Sequence, residues 1–377
     1  MNHVAFIIPG LDRIGGAERQ VMLLAKGLKK RGWRVSVIAL SGTGGDGAAD
    51  LTSAGISFLT LEMRKGLADP RGWIRFHHWL KKESPDVLHD HLAHAVWLAR
   101  WSRLATPVRV VIDTLHSSHT GTPGRRIGYR LSDWLSDEVT AVSYAVADAH
   151  LASKMAQRIT VLPNGVDTLK CRPDSSARAA LRRELSLDHE FLWFAAGRLD
   201  HVKDYPTLLL ALAQLPPTAR LVIAGRGPCE RELSQQATAL GLKSRVRFLG
   251  FEADVRRWMQ AADAFVLSSL WEGLPMALLE AAACGLPAVA TDVPGTREAI
   301  EPGRTGWLTP AGEPAALAES MIGMMQTSVE LRATMGLQAR QFVLDHFSLE
   351  AVLDRWEALY LQLLLSHPKP SRHGRAL

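Results

Sequence analysis

The sequence predicts an α/β protein made of two doubly wound, parallel-sheet domains that face each other across a cleft. The chain has 377 residues, a length that suits two domains of about 100–200 residues each. Short β-branched runs alternate with helical periodicity in both halves, as in parallel sheets covered by helices on both faces. A turn signal, Pro163-Asn164-Gly165, stands between the halves.

The first half begins with an apolar run at residues 4–8, which predicts the first strand. Apolar residues then recur at helical spacing over residues 18–31, and Gly32 stands where helices commonly end. Further β-branched runs predict more strands of the same sheet. We place the strands of this half at residues 4–8, 34–40, 56–61, 87–89, 108–112, 139–142 and 159–162.

The second half repeats the alternation after the central turn. Its strands are predicted at residues 191–195, 221–224, 246–249, 264–267 and 288–290, and its helices at 206–214, 229–240, 254–261, 275–284 and 314–325. A long helical pattern follows at residues 349–365. We therefore expect domains at residues 1–167 and 168–348, and a C-terminal segment, 349–377, whose helix packs back toward the first domain before a frayed end.

The composition indicates a globular protein of a reducing compartment. Hydrophobic residues make up 47% and charged residues 22% of the chain, which excludes wholesale disorder, collagen and coiled coil. Cys171, Cys229 and Cys284 are far apart and form no CxxC pair, so neither a disulfide framework nor a cysteine zinc site is expected. No signal peptide or membrane-spanning tract is evident. These features predict a cytoplasmic protein.

Positive charge is concentrated in the first half. Residues 1–168 have a net charge of +6 and residues 169–377 of zero, while the segment 64–130 alone has +7. This segment also contains Trp73, Trp79, Trp97 and Trp101. Basic charge interleaved with tryptophan suits an anionic membrane surface; solvated helix faces over tryptophan cores are the alternative. No zinc finger or RRM signature is found, so no nucleic-acid partner is expected.

Three strand-to-helix loops contain residues suited to phosphate or nucleotide. Gly15 and Gly16 precede a helix, where paired glycines allow close approach and a helix N-terminus favours an anion; a tight turn is the alternative. Arg198 and Lys203 follow a strand and can clamp a diphosphate; two solvated loop charges are the alternative. The loop that begins at Gly225 can touch a nucleotide through its backbone.

Two acids flank the start of one apolar helix. Pro275 suits the first turn of a helix, so Glu272 lies in the preceding loop and Glu280 in the second turn. A carboxylate inside an alanine-rich helix is costly to bury without a partner. We expect Glu280 to accept hydrogen bonds from hydroxyl groups, as from a sugar; the alternative is a solvent-facing helical residue.

These segments together resemble one enzyme family. The chain resembles the retaining glycosyltransferases of family four, which have the GT-B fold and an E-x7-E motif, over about residues 4–360. Arg226 and Pro294 depart from the family's pattern, which affects loop detail rather than the expected reaction. The matching segments occur in the family's order at residues 15–19, 162–167, 197–203, 225–228, 248–250, 272–280, 291–298 and 306–308.

The resemblance implies a role for each matching residue. Arg198 and Lys203 would hold the donor diphosphate and stabilise the charge on the departing phosphate, so no metal ion or other cofactor is expected. Glu272 would bind the transferred sugar beside the backbone of Gly273 and Leu274. The other contacts with the donor would come from Glu280 on the ribose, His116 against the transferred sugar, Gly15 and Gly16 near the phosphates, Gly225 along the nucleotide, and Leu249 near the base.

The expected reaction is transfer of a sugar from a nucleotide-sugar donor, UDP-sugar favoured over GDP-sugar, to a glycan acceptor. By resemblance, the anomeric configuration is retained through front-side attack. We expect the acceptor to be lipid-linked at the cytoplasmic membrane face, in cell-surface polysaccharide or glycolipid biosynthesis. A nucleotide-sugar epimerase, a glycoside hydrolase using Glu272 and Glu280, and an inactive binding protein are the alternatives. A metal site at His89, His91 and His94 fits the spacing, but the resemblance requires none.

Overall fold

The computed structural model describes residues 1–12, 14–64, 69–252 and 254–368. The chain forms two compact units. The first consists of Met1–Gly165 together with the C-terminal segment from Leu349, and the second of Val166–Ser348. The division falls two residues before the border placed after residue 167, and the C-terminal helix belongs to the first unit. The sequence predicts a frayed end over residues 366–377; Ser366 still belongs to the last helix, and residues 369–377 lie outside the described residues.

The first unit contains a seven-stranded sheet in which all neighbouring strands are parallel. Its strands are β1 (His3–Ile8), β2 (Arg34–Ala39), β3 (Ser57–Thr60), β4 (Val87–His91), β5 (Val110–Leu115), β6 (Glu138–Ala141) and β7 (Thr160–Val161). The order across the sheet is β3-β2-β1-β4-β5-β6-β7. The strand order therefore reverses between β1 and β4, the kind of place where open α/β sheets bind ligands.

Helices connect these strands, as the alternation predicts. They are α1 (Gly16–Lys30), α2 (Gly45–Ser53), α3 (Pro70–Glu83), α4 (Ala93–Ala105), α5 (Pro123–Ser132) and α6 (Tyr144–Ala152). Helix α1 buries Val21, Leu24 and Leu28 on one face, the stripe that predicts it. Lys29 and Lys30 stand in its last turn, where cations interact favourably with the helix dipole.

The second unit contains a six-stranded parallel sheet in the order β10-β9-β8-β11-β12-β13. Its strands are β8 (Phe191–Ala196), β9 (Ala219–Ala224), β10 (Val246–Gly250), β11 (Ala264–Leu267), β12 (Ala288–Thr291) and β13 (Gly306–Thr309). Its helices are α7 (Ser175–Glu184), α8 (Tyr205–Gln214), α9 (Glu230–Ala239), α10 (Arg256–Ala261), α11 (Met276–Ala283), α12 (Pro294–Arg297), α13 (Pro314–Gln326) and α14 (Val329–Phe347). The order reverses between β8 and β11.

The sequence prediction missed one strand and three helices of the second unit: β13, α7, α12 and α14. Strand β13 has four residues and begins at Gly306, and only its pairing with β12 identifies it as a strand. Helix α12 is a single turn. Helix α7 buries only Leu181, so its sequence contains almost no apolar periodicity. Short or mostly polar elements are therefore decided by their neighbours rather than by local pattern.

The C-terminal helix α15 (Leu349–Ser366) completes the core of the first unit. Leu353, Trp356 and Tyr360 are buried in one cluster with α1 and the central strands. Gly27 of α1 makes room for this packing, since a Cβ there would lie 2.3 Å from Leu353 Cδ1. Any side chain at Gly27 would force the Leu353 side chain out of this position.

The tryptophans of the basic segment divide into two pairs. Trp73 and Trp79 of α3 pack against a buried cluster, whereas Trp97 and Trp101 of α4 are exposed. The alternative interpretation of the basic segment, in which the tryptophans belong to the core, therefore applies only to Trp73 and Trp79. Within the described ranges, no helix is both long enough and apolar enough to span a bilayer.

Candidate active site

The candidate site of the second unit lies where its strand order reverses. The loops after β8 and β11 flank this switch point, since these strands are neighbours in the sheet. Two hydrogen bonds join the loops. The Leu270 N–H donates to the Val202 carbonyl at 2.8 Å, and the Ser268 hydroxyl donates to the Lys203 carbonyl at 2.7 Å. The fold thereby brings Lys203 of one loop next to Glu272 of the other.

Lys203 and Glu272 form a partly buried ion pair. The Nζ–Oε1 distance is 2.5 Å, and the side chains are 19% and 10% exposed. The Ser269 hydroxyl donates to the same carboxylate oxygen at 2.6 Å. The edge of the sheet thus presents a cation and an acceptor oxygen side by side. The Tyr205 hydroxyl stays protonated, because burial raises its pKa and the charges of Glu272 and Asp200 raise it further.

Asp200 connects the two predicted cations. Its Oδ2 accepts a hydrogen bond from Arg198 Nε at 2.5 Å, and its Oδ1 accepts the Lys203 N–H at 3.3 Å. Asp200 is nearly buried, whereas the Arg198 side chain is 73% exposed. A phosphate can therefore reach Arg198 from solvent. The sequence analysis missed Asp200 and Ser269; the one available signal for Asp200 was an acid two residues after a candidate phosphate-binding arginine.

Two glycines allow close backbone contacts around these loops. Gly225 has a φ of +146°, and a Cβ there would lie 1.9 Å from the Gly197 carbonyl oxygen. Gly295 packs on the loop of Glu272, since its Cβ would lie 2.5 Å from the carbonyl oxygens of both Glu272 and Gly273. The matched segment 291–298 contains Gly295, but the sequence assigned this residue no role. Glycine is required at both positions, because a side chain there would overlap these backbone atoms.

The other donor-side residues predicted for the second unit surround the same strand ends. Leu249 lies in β10 beside the Gly225 loop, and the Gly225 N–H donates to the Gly250 carbonyl at 2.8 Å. Leu274 is buried in the turn before α11. Glu280 lies in the second turn of α11 and is partly buried, as the position of Pro275 predicted.

In the first unit, the predicted glycine pair lies at the N-terminus of α1. Gly15 is the N-cap and Gly16 the first helical residue. The Gly15 N–H donates to the Glu18 carboxylate at 3.0 Å, and burial raises the pKa of Glu18. A carboxylate of the chain therefore already occupies part of the expected anion site, and an incoming phosphate would compete with it.

His116 follows β5 directly, at the carboxyl end of the first sheet. Its Nε2 lies 2.8 Å from Nδ1 of His91, which ends the neighbouring strand β4. Burial lowers the pKa of His116 to about 4. Burial also lowers the pKa of His91, and His89 and His116 lower it further. Both imidazoles are therefore neutral at neutral pH.

The protons of a neighbouring hydrogen-bond chain can be assigned one after another. Thr140 Oγ1 donates to the Asp113 carbonyl at 3.0 Å, because a carbonyl oxygen only accepts. Its contact with Thr114 Oγ1 at 2.7 Å must then be donated by Thr114. Thr114 in turn accepts from His89 Nε2 at 2.6 Å, and His89 Nδ1 accepts from the Tyr360 hydroxyl at 2.6 Å. This chain fixes His89 as the neutral Nε2–H tautomer.

The three histidines whose spacing fits a metal site, His89, His91 and His94, lie in different environments. Both ring nitrogens of His89 are hydrogen bonded, His91 contacts His116, and His94 is exposed on α4. Within the described ranges, no group of three His, Cys, Asp or Glu residues is arranged to hold a metal ion.

The opposite face of β4 and β5 contains a buried charged cluster. Arg100 of α4 contacts Asp113 Oδ2 through Nε at 2.9 Å and Nη2 at 2.5 Å, and both side chains are fully buried. Asp90 is also fully buried, and burial together with Asp113 raises its pKa. A proton on Asp90 that is shared with Asp113 Oδ1 pairs one oxygen of each carboxyl group, and the second Asp90 oxygen is left without a hydrogen-bond partner in the described part of the chain. The positive charge of Arg100 then balances one net negative charge on the two aspartates.

Two family models match the chain over nearly its whole length. The model described as Glycosyltransferase Family 4 matches residues 14–170, and the one described as Glycosyl transferases group 1 matches residues 178–342. The lipopolysaccharide core biosynthesis glycosyltransferase LpsE of Rhizobium meliloti (strain 1021) is 30% identical, over 94% of this chain and 97% of that protein. The chain belongs to the family four glycosyltransferases.

Other comparisons agree with this family. The UDP-Gal:alpha-D-GlcNAc-diphosphoundecaprenol alpha-1,3-galactosyltransferase of Escherichia coli is 25% identical, over 80% of this chain and 81% of that protein. The structure of Anabaena Alr3699/HepE in complex with UDP and glucose superposes with a TM-score of 0.84 at 24% identity, covering 96% of this chain and all of that one. The predicted GT-B fold class is confirmed. The family assignment supports a glycosyltransferase and not the epimerase alternative.

Proposed function

We propose that this glycosyltransferase moves a sugar from a UDP-sugar to a glycan acceptor, with retention of configuration and without a metal ion. The observation that carries the proposal is the Lys203–Glu272 pair at the switch point of the second unit, with Arg198 held nearby by Asp200. A nucleotide sugar needs positive charge for its diphosphate and acceptor oxygens for its hydroxyls. These loops contain both.

The ion pairs suggest how the donor binds and reacts. A diphosphate would draw Lys203 from Glu272 and Arg198 from Asp200, which frees the Glu272 carboxylate to accept hydroxyl hydrogen bonds. As the bond from the sugar to the phosphate breaks, negative charge grows on the leaving diphosphate, and the two cations stabilise it. The phosphate oxygen then takes the proton of the acceptor hydroxyl, which forms the new bond on the same face and retains the configuration.

The names of relatives support the choice of donor and acceptor. The relative from Escherichia coli is named for a UDP-galactose donor and a diphosphoundecaprenol acceptor, and LpsE is named for lipopolysaccharide core biosynthesis. We infer that this chain also uses a UDP-sugar, and that its acceptor is a lipid-linked glycan of a cell-surface polysaccharide or glycolipid. A location at the inner face of the cytoplasmic membrane follows from that acceptor.

A thermal-shift panel of UDP, GDP, ADP and TDP tests the donor class. A ligand that binds only the folded protein stabilises it by about 2.7 kcal/mol at a hundredfold excess over Kd. We expect UDP to raise the Tm of the wild type and of Glu319→Ala, an exposed control in α13, but not of Glu280→Ala. A shift with GDP alone would overturn the UDP assignment. An equal UDP shift in Glu280→Ala would remove the ribose role.

Activity in excess EDTA tests the absence of a metal. Because Arg198 and Lys203 supply the positive charge, we expect the rate of sugar transfer to be unchanged by the chelator. A loss of activity that added Mg²⁺ or Mn²⁺ restores would contradict this part of the proposal.

We further propose that two helices of the first unit contact an anionic membrane. Exposed apolar side chains recur with i, i+4, i+7 spacing on α4 and again from α5 into the single turn that follows it. We call these residues the α4–α5 surface; they are Trp97, Trp101 and Leu104, and Ile127, Leu131 and Trp134.

Helices α4 and α5 pack against each other, so that their exposed apolar residues form one surface. The Trp97 ring lies against α5 at Gly128, where a Cβ would approach it to 3.1 Å. Buried Arg100 also donates to the Tyr129 carbonyl at 2.9 Å. Arg126 and Arg130 of α5 lie beside the apolar residues, within the segment that has a net charge of +7. Apolar anchors with adjacent cations suit a surface of anionic lipid.

Co-sedimentation with vesicles of phosphatidylcholine and phosphatidylglycerol tests this surface. We expect Ile127→Ser/Leu131→Ser to weaken binding, because both substitutions remove exposed apolar contacts. Leu331→Ser/Leu337→Ser provides the matched control, since these leucines of α14 are equally exposed on the second unit, whose net charge is −2. Absence of wild-type binding, or an equal loss in the control, would overturn the proposal.

A further inference from the structure

We infer that His91 is a positioning residue that sets the tautomer of His116, so that His116 presents an N–H donor at Nδ1. The contacts that fix the protons of His91 and His116 all lie within the first unit. The consequence for catalysis rests on the proposed function and on the position against the transferred sugar that the family resemblance implies for His116.

Packing holds the His91 ring in one orientation. His91 is fully buried, and the rings of Phe6 and His89 lie 5.8 Å and 4.2 Å from it, centroid to centroid. The His116 ring lies 5.1 Å away and is joined to it by the 2.8 Å contact between His91 Nδ1 and His116 Nε2. His116 itself is only half-buried. The buried ring therefore fixes one nitrogen of a ring that solvent or a ligand can reach.

The direction of this hydrogen bond follows from the other nitrogen of His91. His91 Nε2 is buried and has no hydrogen-bond partner in the described part of the chain. A proton on that atom would leave a buried N–H unpaired, and orphaned buried N–H groups are rarer and more costly than unpaired acceptors. His91 therefore carries its proton on Nδ1 and donates it to His116 Nε2. The single proton of neutral His116 is left on Nδ1.

This arrangement limits what His116 can do. Its Nε2 is used as an acceptor by His91, so only Nδ1–H is available to a substrate. A hydroxyl or ring oxygen of the transferred sugar accepts from an N–H group, whereas a base would need a free nitrogen lone pair. His116 is thereby assigned as a neutral hydrogen-bond donor that orients the sugar.

Nitrogen-15 NMR of the imidazole rings in the full chain tests the assignment, since long-range couplings distinguish the two tautomers. We expect wild-type His116 to be the Nδ1–H tautomer. His91→Asn keeps a donor near the position of Nδ1 and should preserve that tautomer. His91→Leu keeps the size but removes the donor, so His116 should become a mixture. His94→Leu, an exposed histidine of α4, is the control.

Turnover of UDP-glucose, used as the probe donor, gives the second readout. We expect His91→Leu to lower kcat/KM by roughly five- to tenfold, as for one lost orienting hydrogen bond, and His91→Asn to restore most of it. An Nε2–H tautomer in wild-type His116, or equal damage in both variants, would overturn the inference. The NMR result needs no substrate, so it decides the tautomer assignment even where UDP-glucose is not turned over, and the proposed function is judged separately by the nucleotide panel.

Discussion

The two units share one architecture but present different electrostatics at the carboxyl ends of their central strands. In the second unit, the loops after β8 and β11 place Lys203 and Glu272 at an accessible edge. In the first unit, the ends of β4 and β5 place buried, neutral His91 beside half-buried His116. The fold decides where polar side chains gather, whereas burial decides whether that place offers charge or neutral hydrogen bonds.

The difference also extends to how the charges are balanced. The Arg100–Asp113 pair of the first unit is fully buried and joins α4 to β5. The Arg198–Asp200 pair of the second unit leaves its arginine open to solvent. A buried pair serves structure because no ligand can reach it, and an exposed pair can exchange its partner for a phosphate.

Removing the buried cation gives the largest expected effect. Arg100→Met leaves Asp113 buried without its partner, and we expect the first unit to lose about 3–5 kcal/mol of unfolding free energy. Hydrogen exchange of the β4 and β5 amides measures it. Arg75→Met breaks an exposed pair with Glu62 and should cost less than about 1 kcal/mol. Equal losses in the two variants would show that burial does not set the difference.

Removing the partly buried cation Lys203 should affect catalysis more than stability. Lys203→Ala deletes a charge aimed at the leaving diphosphate, and we expect kcat to fall about 10²–10³-fold, with a smaller loss of stability than in Arg100→Met. Steady-state kinetics measures the loss. Lys243→Ala, at an exposed position of the same unit, is the control and should be near wild type. A loss of less than about tenfold would argue against the role of Lys203.

A methyl group at Gly295 tests whether backbone packing holds the acid loop. Gly295→Ala places Cβ 2.5 Å from two carbonyl oxygens, an overpacking that costs about 1–3 kcal/mol. We expect the loop of Glu272 to shift and kcat/KM to fall roughly tenfold. Gly124→Ala, which meets nothing within 4 Å, should leave the kinetics unchanged. Wild-type kinetics in both variants would contradict the contact.

Lowering the pH should reduce the free energy of unfolding of the first unit more than that of the second. Unfolded histidines, with a pKa near 6.5, take up protons before the buried ones do, so stability falls as the pH drops below about 6.5 toward 4. Each net proton contributes about 1.4 kcal/mol per pH unit. Among the residues that the structure describes, the histidines with lowered pKa all belong to the first unit; they are His3, His89, His91, His116 and His150.

Buried acids of the same unit oppose this trend. Because burial raises the pKa values of Glu18, Asp90 and Asp133, these groups take up protons at a higher pH in the folded state than in the unfolded chain, which favours folding at lower pH. Because five histidines face three acids, we still expect a net loss on acidification. Hydrogen exchange at pH 7, 6 and 5 in each unit measures it, and equal slopes for the two units would contradict the comparison.

The sequence predicted those parts of the site whose signals are local. Arg198 and Lys203 follow a strand, and Glu272 and Glu280 flank the start of a helix, so chain position alone placed them at strand ends of one sheet. Their catalytic and binding roles remain predictions that the experiments above test. The neighbours that hold them were missed: nothing in the local pattern distinguishes Ser269 from a solvated loop residue, and the one signal for Asp200 was its position two residues after Arg198.

By itself, the sequence determined the fold class, the family and most strands, because apolar periodicity and motif order are properties of neighbouring residues. Only the tertiary structure decided which polar groups meet. Tyr360 reaches His89 from the far end of the chain, and His91 meets His116 across two strands. Such contacts depend on the register of the sheet and on burial. Burial also sets the charge state of a histidine, because an imidazolium away from water is costly.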